Sequence, residues 1–502
     1  MRLRENLLAG FASAIWSALL GLAVVPFYLE YLGIEAYGLI GFSVTMQALL
    51  QLLDMGLAST INREVARCSA SGNRTEAGKL LHSLAVVYWS TAGVIALLIM
   101  SLAPLFPEYW LQSDQISEQT IEHAVMLMGL VLACRWPIGL YQGALVGAQR
   151  LALSSGVTST MGTMGSLGAV AVLAFVSPTI EAFFIWQACV GLLQAATMRW
   201  VAWGVIGREK DIHFDVNELK RIWRFSVGMS GIALSGLVLT QLDKLILSKM
   251  VELEEFGHYM LATAVVSGLY LLIAPTFNVI YPRLSALVAT GHTEQLTDLY
   301  RLGSRLLATV LFPIAMLLVV FPQDLVYVWT GNQAVASNVA PVVAFLAAGT
   351  ALHGVMYFPY SLQLAYGTTR LPLKINAILI VVWVPLIIIL ALKFGALGGA
   401  MAWFVLHVLY MMLGTWFTHR RLLKGLGRKW LFQDVGVPLG LSILVGIVGY
   451  YAIQGAEHSA FSKLVWGGVL GLVIIVLSLS TPIRNGRIEQ LWTRKEYSNS
   501  LC

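Results

Sequence analysis

Apolar runs of about 20 residues, each long enough to cross a bilayer, follow one another along nearly the whole chain with only short polar turns between them. Hydrocarbon offers no partner to a backbone amide or carbonyl, so only helices and closed barrels can span it. A barrel would show shorter segments of alternating hydrophobicity, which this sequence lacks. Of the 502 residues, 58% are hydrophobic and 12% charged, against about 25% charged in a soluble domain. The expected fold class is therefore an all-α polytopic membrane protein.

About fourteen spans are expected, the first six near 7–31, 34–61, 82–106, 121–147, 154–176 and 181–206. The next six fall near 224–249, 257–281, 302–329, 339–366, 374–393 and 396–418, with two more near 435–453 and 463–481. The opening "MRLRENLLAGFASAIW" has the basic start of a signal peptide, but its apolar run is too long and no small-residue cleavage site follows. It reads as the first span. Cys68, Cys134, Cys189 and Cys502 lie far apart and form neither a disulfide framework nor a metal-ligand pattern. They read as ordinary thiols, and no cofactor or metal is called for.

Basic loop residues orient the spans. With the N-terminus inside, 26 of the 32 Lys and Arg fall in cytoplasmic segments, whereas the opposite side keeps only Lys249, Lys393 and Lys463. Both termini are thus expected in the cytoplasm, and the +6 formal charge follows the membrane rather than pointing to nucleic acid. Outer loops are short, the longest near 107–120, which leaves no room for an extramembrane domain. The inner stretches 207–223 and 282–301 have the pattern of short amphipathic surface helices.

The chain also repeats itself. "AYGLIGFSVT" from Ala36 parallels "EFGHYMLATA" from Glu255, and "RTEAGKLLHS" (74–83) parallels "HTEQLTDLYR" (292–301). The offset holds at 218–219 residues through two spans and a loop, the mark of an internal duplication. Six spans is an even number, so both halves enter the membrane in the same sense. This implies a pseudo-twofold axis along the membrane normal, with a cavity between two facing bundles. The expected division is a six-helix bundle over 1–210, a second over 211–420, and a helix pair with a cytoplasmic tail over 421–502.

"VVPFYLEYLGIEAYGL", "LLDMGLASTINREVAR", "QLDKLILSK" and "GALGGAMAW" (395–403), in this order and spacing, resemble the polysaccharide transporters, or O-antigen-type flippases, of the multidrug/oligosaccharidyl-lipid/polysaccharide exporter superfamily. The resemblance covers roughly 1–420 and implies a bacterial inner-membrane protein that flips undecaprenyl-diphosphate-linked oligosaccharide outward by alternating access. It implies as partners an anionic lipid-linked oligosaccharide, membrane lipids, and the glycan polymerase and chain-length machinery. Many members have twelve spans, so the extra pair here is a departure that could line a lipid-tail groove.

Charges inside spans are the candidate functional residues, because each costs about 2.5–3.5 kcal/mol at a helix centre on insertion scales. Arg135, beside Trp136 and Pro137 in the fourth span, has the planar fork that suits bidentate phosphate contact; the alternative is a buried pair with Asp54 or Asp243. Adjacent helix positions point about 100° apart, so Asp243 and Lys244 of the seventh span need not pair. Lys244 is expected on the cavity wall with Asp243 bonding a neighbouring helix, or both form a helix–helix polar clamp. Arg199 can face the cavity or snorkel to headgroups. Gln47, Gln51, Asn278 and Gln363 can bond sugar hydroxyls or other helices. Asp54, Asp243 and His353 are candidates for coupling or gating; Asp54 can equally pair with a basic residue and His353 be a packing residue. Pro275, Pro282 and Pro359 are candidate kinks, and Tyr109, Trp110, Tyr327 and Trp329 candidate interface anchors.

An ion-coupled drug exporter of the same superfamily would favour an acidic pocket, whereas Arg135, Arg199 and Lys244 favour an anion. A membrane enzyme would call for a large outer catalytic loop or a converging acid/base set, and neither pattern is found. The orientation makes a direct prediction. In a cysteine-less background, single cysteines at Gln112 and Glu254 will react with an impermeant thiol reagent from outside, and cysteines at Gly72 and Thr290 will not. Reversal in either half would overturn the parallel duplication.

Overall fold

The structure is a computed structural model, and it describes residues 2–54, 56–71, 73–207, 214, 234–454 and 459–484. Over 208–213 and 215–223, the expected inner surface helix lies outside the described residues, as do the first ten residues of span seven, Cys502 and the tail from 485.

In chain order the helices are α1 (Arg2–Leu50), a 3₁₀ turn (Gln51–Asp54), α2 (Leu57–Ser71), α3 (Arg74–Leu102), α4 (Leu105–Tyr109) and α5 (Glu118–Arg135). Then come α6 (Ile138–Gly147), α7 (Leu151–Phe175), α8 (Ile180–Ile206), α9 (234–250), α10 (Leu253–Ser267) and α11 (Tyr270–Ala289). The chain continues through α12 (Thr293–Val320), α13 (Pro322–Thr330), α14 (Gln333–Ala365), α15 (Arg370–Arg421) and α16 (Leu426–Lys429). A π-helical segment (Trp430–Gly436) leads into α17 (Val437–Gln454), and α18 (Ala460–Arg484) closes the order. The protein is an all-α polytopic membrane protein, with no strand among the described residues.

Ten of the described helical stretches are long and apolar enough to cross a membrane. Two of them, α1 and α15, each run through two expected spans and are broken within by a glycine: Gly33 at φ 80° and Gly395 at φ 55°. Only glycine adopts that backbone freely, so these residues turn the chain between spans. The stretch 282–301 is not a separate surface helix. It is the end of α11, a turn at Gly291, and the start of α12, because helices that leave the membrane keep their own hydrogen bonds.

Met1–Leu261 with Ile388–Gly399 packs as one compact unit, and Ala262–Ile387 with Ala400–Cys502 as another. In the first, α1 lies along α7, α5 sits between α3 and α8, and α2 packs on α6. Its core gathers Ile61, Leu80, Leu84, Tyr141, Met198 and Ala202. Arg63 and Arg67 bracket Glu64, and Arg67 also pairs with Glu76 at the start of α3. Burial alone would raise the Glu64 carboxyl, but hydrogen bonds from both arginines outweigh it and hold it below the usual carboxylate range. In the second unit α12 is the hub, packed on α14, α17 and α18. Arg301 grips Asp434 with two hydrogen bonds of 2.7 and 3.0 Å, and the buried Trp430 donates to Ser304 at 2.9 Å. The last helix pair is thereby tied to the hub through the π-helical segment.

The duplication has a physical counterpart in the first unit. A methyl group on Gly38 would lie 2.7 Å from the Leu253 carbonyl, and one on Gly257 would lie 2.3 Å from the Ile34 carbonyl. Gly38 and Gly257 are equivalent by the repeat, and so are Ile34 and Leu253, so the contact is reciprocal. Gly41 meets Met260, again a residue and its own equivalent. Equivalent residues stay level along the contact, which happens only when the two segments run parallel. This is small-residue packing, the main device that lets membrane helices approach closely.

The charged pair of span seven lies in the same unit. Asp243 is 1% exposed and Lys244 9%. Contrary to the expectation that neighbours need not meet, Lys244 Nζ bonds both Asp243 oxygens at 3.0 and 3.1 Å and the Thr240 carbonyl at 2.9 Å. Tyr259 of α10 donates to Asp243 at 2.6 Å. Long, flexible side chains overcome the 100° separation, because in a buried setting an unpaired charge is the costlier choice. The pair, with Tyr259, forms a polar clamp between α9 and α10.

Two substitutions test this packing. Gly257→Leu will lower the melting temperature of the detergent-solubilised protein, at a cost of about 1–3 kcal/mol for overpacking. Asp243→Leu leaves Lys244 without its carboxylate and will cost about 3–5 kcal/mol, whereas the double change with Lys244→Met will recover most of that loss. Thermal unfolding of both variants at matched lipid content is the measurement.

Candidate functional site

The first unit contains a cavity of about 620 Å³ bounded by the N-terminal helices. Two breaks in spanning helices open onto it. The first interrupts span two, where α1 gives way to the 3₁₀ turn and α2 starts after Gly56. Asp54 ends that turn, and its carboxylate accepts from Ala58 N at 3.2 Å and from the Tyr88 hydroxyl. It therefore caps α2 and takes a neutral phenol as partner; among the described residues no basic side chain bonds it. Gln47, Gln51 and Asp54 all line the cavity from this break.

The second break interrupts span four. Pro137 cannot donate to the ladder, so α5 ends at Arg135 and α6 starts at Ile138. Arg135 lines the cavity at that end. Its Nη2 donates to Gln187 Oε1 at 2.5 Å and its Nη1 to Gln47 Oε1 at 3.4 Å. Its Nε is buried with no partner. Gln187 is itself fixed, because its amide donates to the Gly165 carbonyl at 3.2 Å. The alternative pairing of Arg135 with Asp54 or Asp243 is not formed: Arg135 makes no ion pair among the described residues.

The electrostatics follow from those partners. Asp54 is the acidic and Arg135 the basic side chain among the cavity's lining residues. Asp54 already has two donors, whereas Arg135 has only neutral acceptors and one idle N–H. The cavity thus holds one charge of each sign, neither of them paired with its opposite, and Arg135 is the one with an idle N–H on a fork suited to an oxyanion. Further amides, Gln142 and Gln194, complete a wall that can exchange hydrogen bonds with hydroxyls.

The other sequence candidates lie elsewhere. Lys244 and Asp243 are closed into their clamp and do not line this cavity. Arg199 and Asn278 are exposed. Gln363 is buried and donates to Thr418 at 2.7 Å, a helix–helix contact. His353 bonds the Tyr270 hydroxyl at 2.8 Å, and its ring centroid lies 4.6 Å from that of His407. The sequence reading passed over Gln187, Gln194 and Gly191. Gly191 leaves room for Arg135, since a methyl group there would lie 3.1 Å from its Cγ. The three positions are spaced i, i+4 and i+7 in the sixth span. That is one helix face, and it was the available signal.

Residues 3–288 match the family described as polysaccharide biosynthesis protein. A Shigella flexneri protein named as an O-antigen transporter is 20% identical over 404 residues, covering 79% of this chain and 93% of that one. The lipopolysaccharide biosynthesis protein WzxC of Escherichia coli (strain K12) is 22% identical over 470 residues, covering 90% and 88%. Among solved structures, the lipid II flippase MurJ in an inward closed conformation is similar over 95% of this chain and 99% of its own, with a TM-score of 0.71 at 14% identity. An inward-facing MATE multidrug resistance transporter is similar over 86% and 96%, with a TM-score of 0.63 at 14% identity. These likenesses carry the fold; the family match covers more than half of the sequence, and the chain belongs to the polysaccharide biosynthesis protein family.

Proposed function

We propose that this protein is a flippase that moves an undecaprenyl-diphosphate-linked oligosaccharide, such as an O-antigen, capsule or exopolysaccharide repeat unit, from the inner to the outer face of a bacterial cytoplasmic membrane by alternating access. The observation that carries the reading is Arg135, a cation within a spanning stretch with no carboxylate partner among the described residues, in a cavity walled by amides. Leaving a guanidinium without a counter-ion there is costly. A diphosphate would neutralise it, and attraction in that reduced dielectric exceeds its value in water. The relatives' names, O-antigen transporter and lipopolysaccharide biosynthesis protein, support the cargo class. The division into bundles at 1–210 and 211–420 with an appended pair, both termini cytoplasmic, and service to a glycan polymerase and its chain-length machinery belong to the same proposal.

An ion-coupled drug exporter is the competing reading. It asks for a carboxylate free to take a cationic guest, and Asp54 is already engaged by Tyr88 and the start of α2. Asp54 is better placed as a gate, since its two bonds join α2 to α3 beside the cavity.

The test is surface glycan in a strain lacking the native gene, with membrane abundance measured alongside. Arg135→Ala will lower export about tenfold or more at normal abundance, the worth of one charge-assisted hydrogen bond or more. Arg135→Lys will restore only part, because a point charge loses the bidentate geometry. Normal export by well-expressed Arg135→Ala would remove the anion site from the mechanism.

A further inference from the structure

Within the second unit, the structure brings together an aromatic group that the cation of the first unit does not explain. Phe277 and Tyr281 of α11 stack with centroids 5.5 Å apart and planes 4° apart. Tyr360 of α14 continues the stack at 6.1 Å and 19°, and Tyr357 stands edge-on to Phe277 at 5.6 Å. His353 joins Tyr357 to Tyr410 of α15, at 5.3 and 6.3 Å. Tyr360 lies within electrostatic reach of Tyr281, Tyr357 and Tyr410, which makes the four tyrosines one group. All four are only half-buried. Their hydroxyls accept and donate nothing within the described structure, yet are not closed off in the core. The exposed Asn278 lies on α11 between the two stacked rings, and Pro275 and Pro282 bracket the segment.

We infer that this cluster is a pyranose-binding platform that takes the sugar rings of the cargo. The inference rests on reading that cargo as a glycan and assigns it a recognition site apart from Arg135. A pyranose has an apolar C–H face, which lies flat on an aromatic ring, and a rim of hydroxyls. Aromatic rings with polar tips meet both needs at once. A lipid tail would cover the rings but leave four phenol groups without partners, and buried polar groups left unpaired are costly. The two units carry different side-chain chemistry: Arg135 lies among amides in the first, and His353 lies beside phenols in the second.

The test uses the full chain in nanodiscs with two independent readouts. Saturation-transfer NMR reports binding of methyl pyranosides of glucose, galactose, N-acetylglucosamine and rhamnose. Calorimetric titration with inorganic pyrophosphate reports the Arg135 site. At least one glycoside will receive saturation at its ring protons. Tyr357→Phe with Tyr360→Phe, which keeps rings and packing, will weaken that binding about two- to tenfold, the loss of one or two neutral hydrogen bonds. Phe277→Leu with Tyr360→Leu will weaken it about tenfold, the loss of stacked area, and leave pyrophosphate titration unchanged, which also certifies the fold. Arg135→Ala will show the converse. If no glycoside receives saturation above empty nanodiscs, or if the ring and hydroxyl variants both leave it unchanged, the platform is refuted. Binding of tetramethylammonium in place of every glycoside would make it a cation cage and refute it equally. Loss of pyrophosphate binding alone in the wild-type protein would instead count against the Arg135 reading and leave the platform standing.

Discussion

Hydrocarbon supplies no hydrogen-bond partner, so each break in a spanning helix has to be answered by the protein or by water in a cavity. The breaks in this chain follow that rule. At Gly395 the freed Ala396 N–H is taken by the Glu255 carboxylate at 2.8 Å. At the interruption of span two, Asp54 takes the Ala58 N–H. The breaks at Gln51–Asp54 and at Trp136 open onto the cavity. Irregular backbone thus occurs where a carboxylate or a cavity compensates it. The candidate site is built from the same breaks, since Gln51, Asp54 and Arg135 sit at them and line the cavity.

The buried charges divide by the same reasoning. Asp243 and Lys244 neutralise each other and share Tyr259 and Thr240, which leaves no appetite for a guest. Arg135 is held in place by amide oxygens that orient it without cancelling its charge. Both arrangements satisfy geometry, but only the second leaves a field for a ligand to complete. Of the two, a clamp fits helix packing and an uncompensated fork fits transport of an anion.

The spans, their turns and the duplication were legible in the sequence because they rest on signals of long period: apolar length, basic loops and a constant offset. The Gly38–Gly257 crossing lay in the repeat as two aligned glycines, but that they touch could come only from coordinates. Of the two readings left open for Asp243 and Lys244, the clamp is the one formed, because a lysine can fold back across the helical angle to its neighbour. Arg135 was found because a charge before Trp-Pro in an apolar run stands out. Gln187 and Gly191 were not, since an amide and a glycine in a membrane helix are individually ordinary. The tyrosines of α11, α14 and α15 escaped for a related reason: 281, 357, 360 and 410 are far apart in sequence, and only folding gathers them.

A lipid-linked glycan carries two chemistries, a compact anion and an extended polyol, and one surface cannot serve both well. A guanidinium field strong enough for diphosphate contributes little to a neutral sugar, and aromatic rings that hold a sugar face offer nothing to phosphate. On the proposed reading of the cargo, duplication answers this by giving two copies of one fold whose side chains are free to diverge. The backbone constraint preserved between copies is the glycine crossing, where any added methyl group would meet a carbonyl. Away from that crossing the side chains differ: Arg135 lies among amides in the first unit, and His353 lies beside phenols in the second. On the proposed reading, a repeated scaffold whose two linings differ suits an asymmetric, amphiphilic cargo.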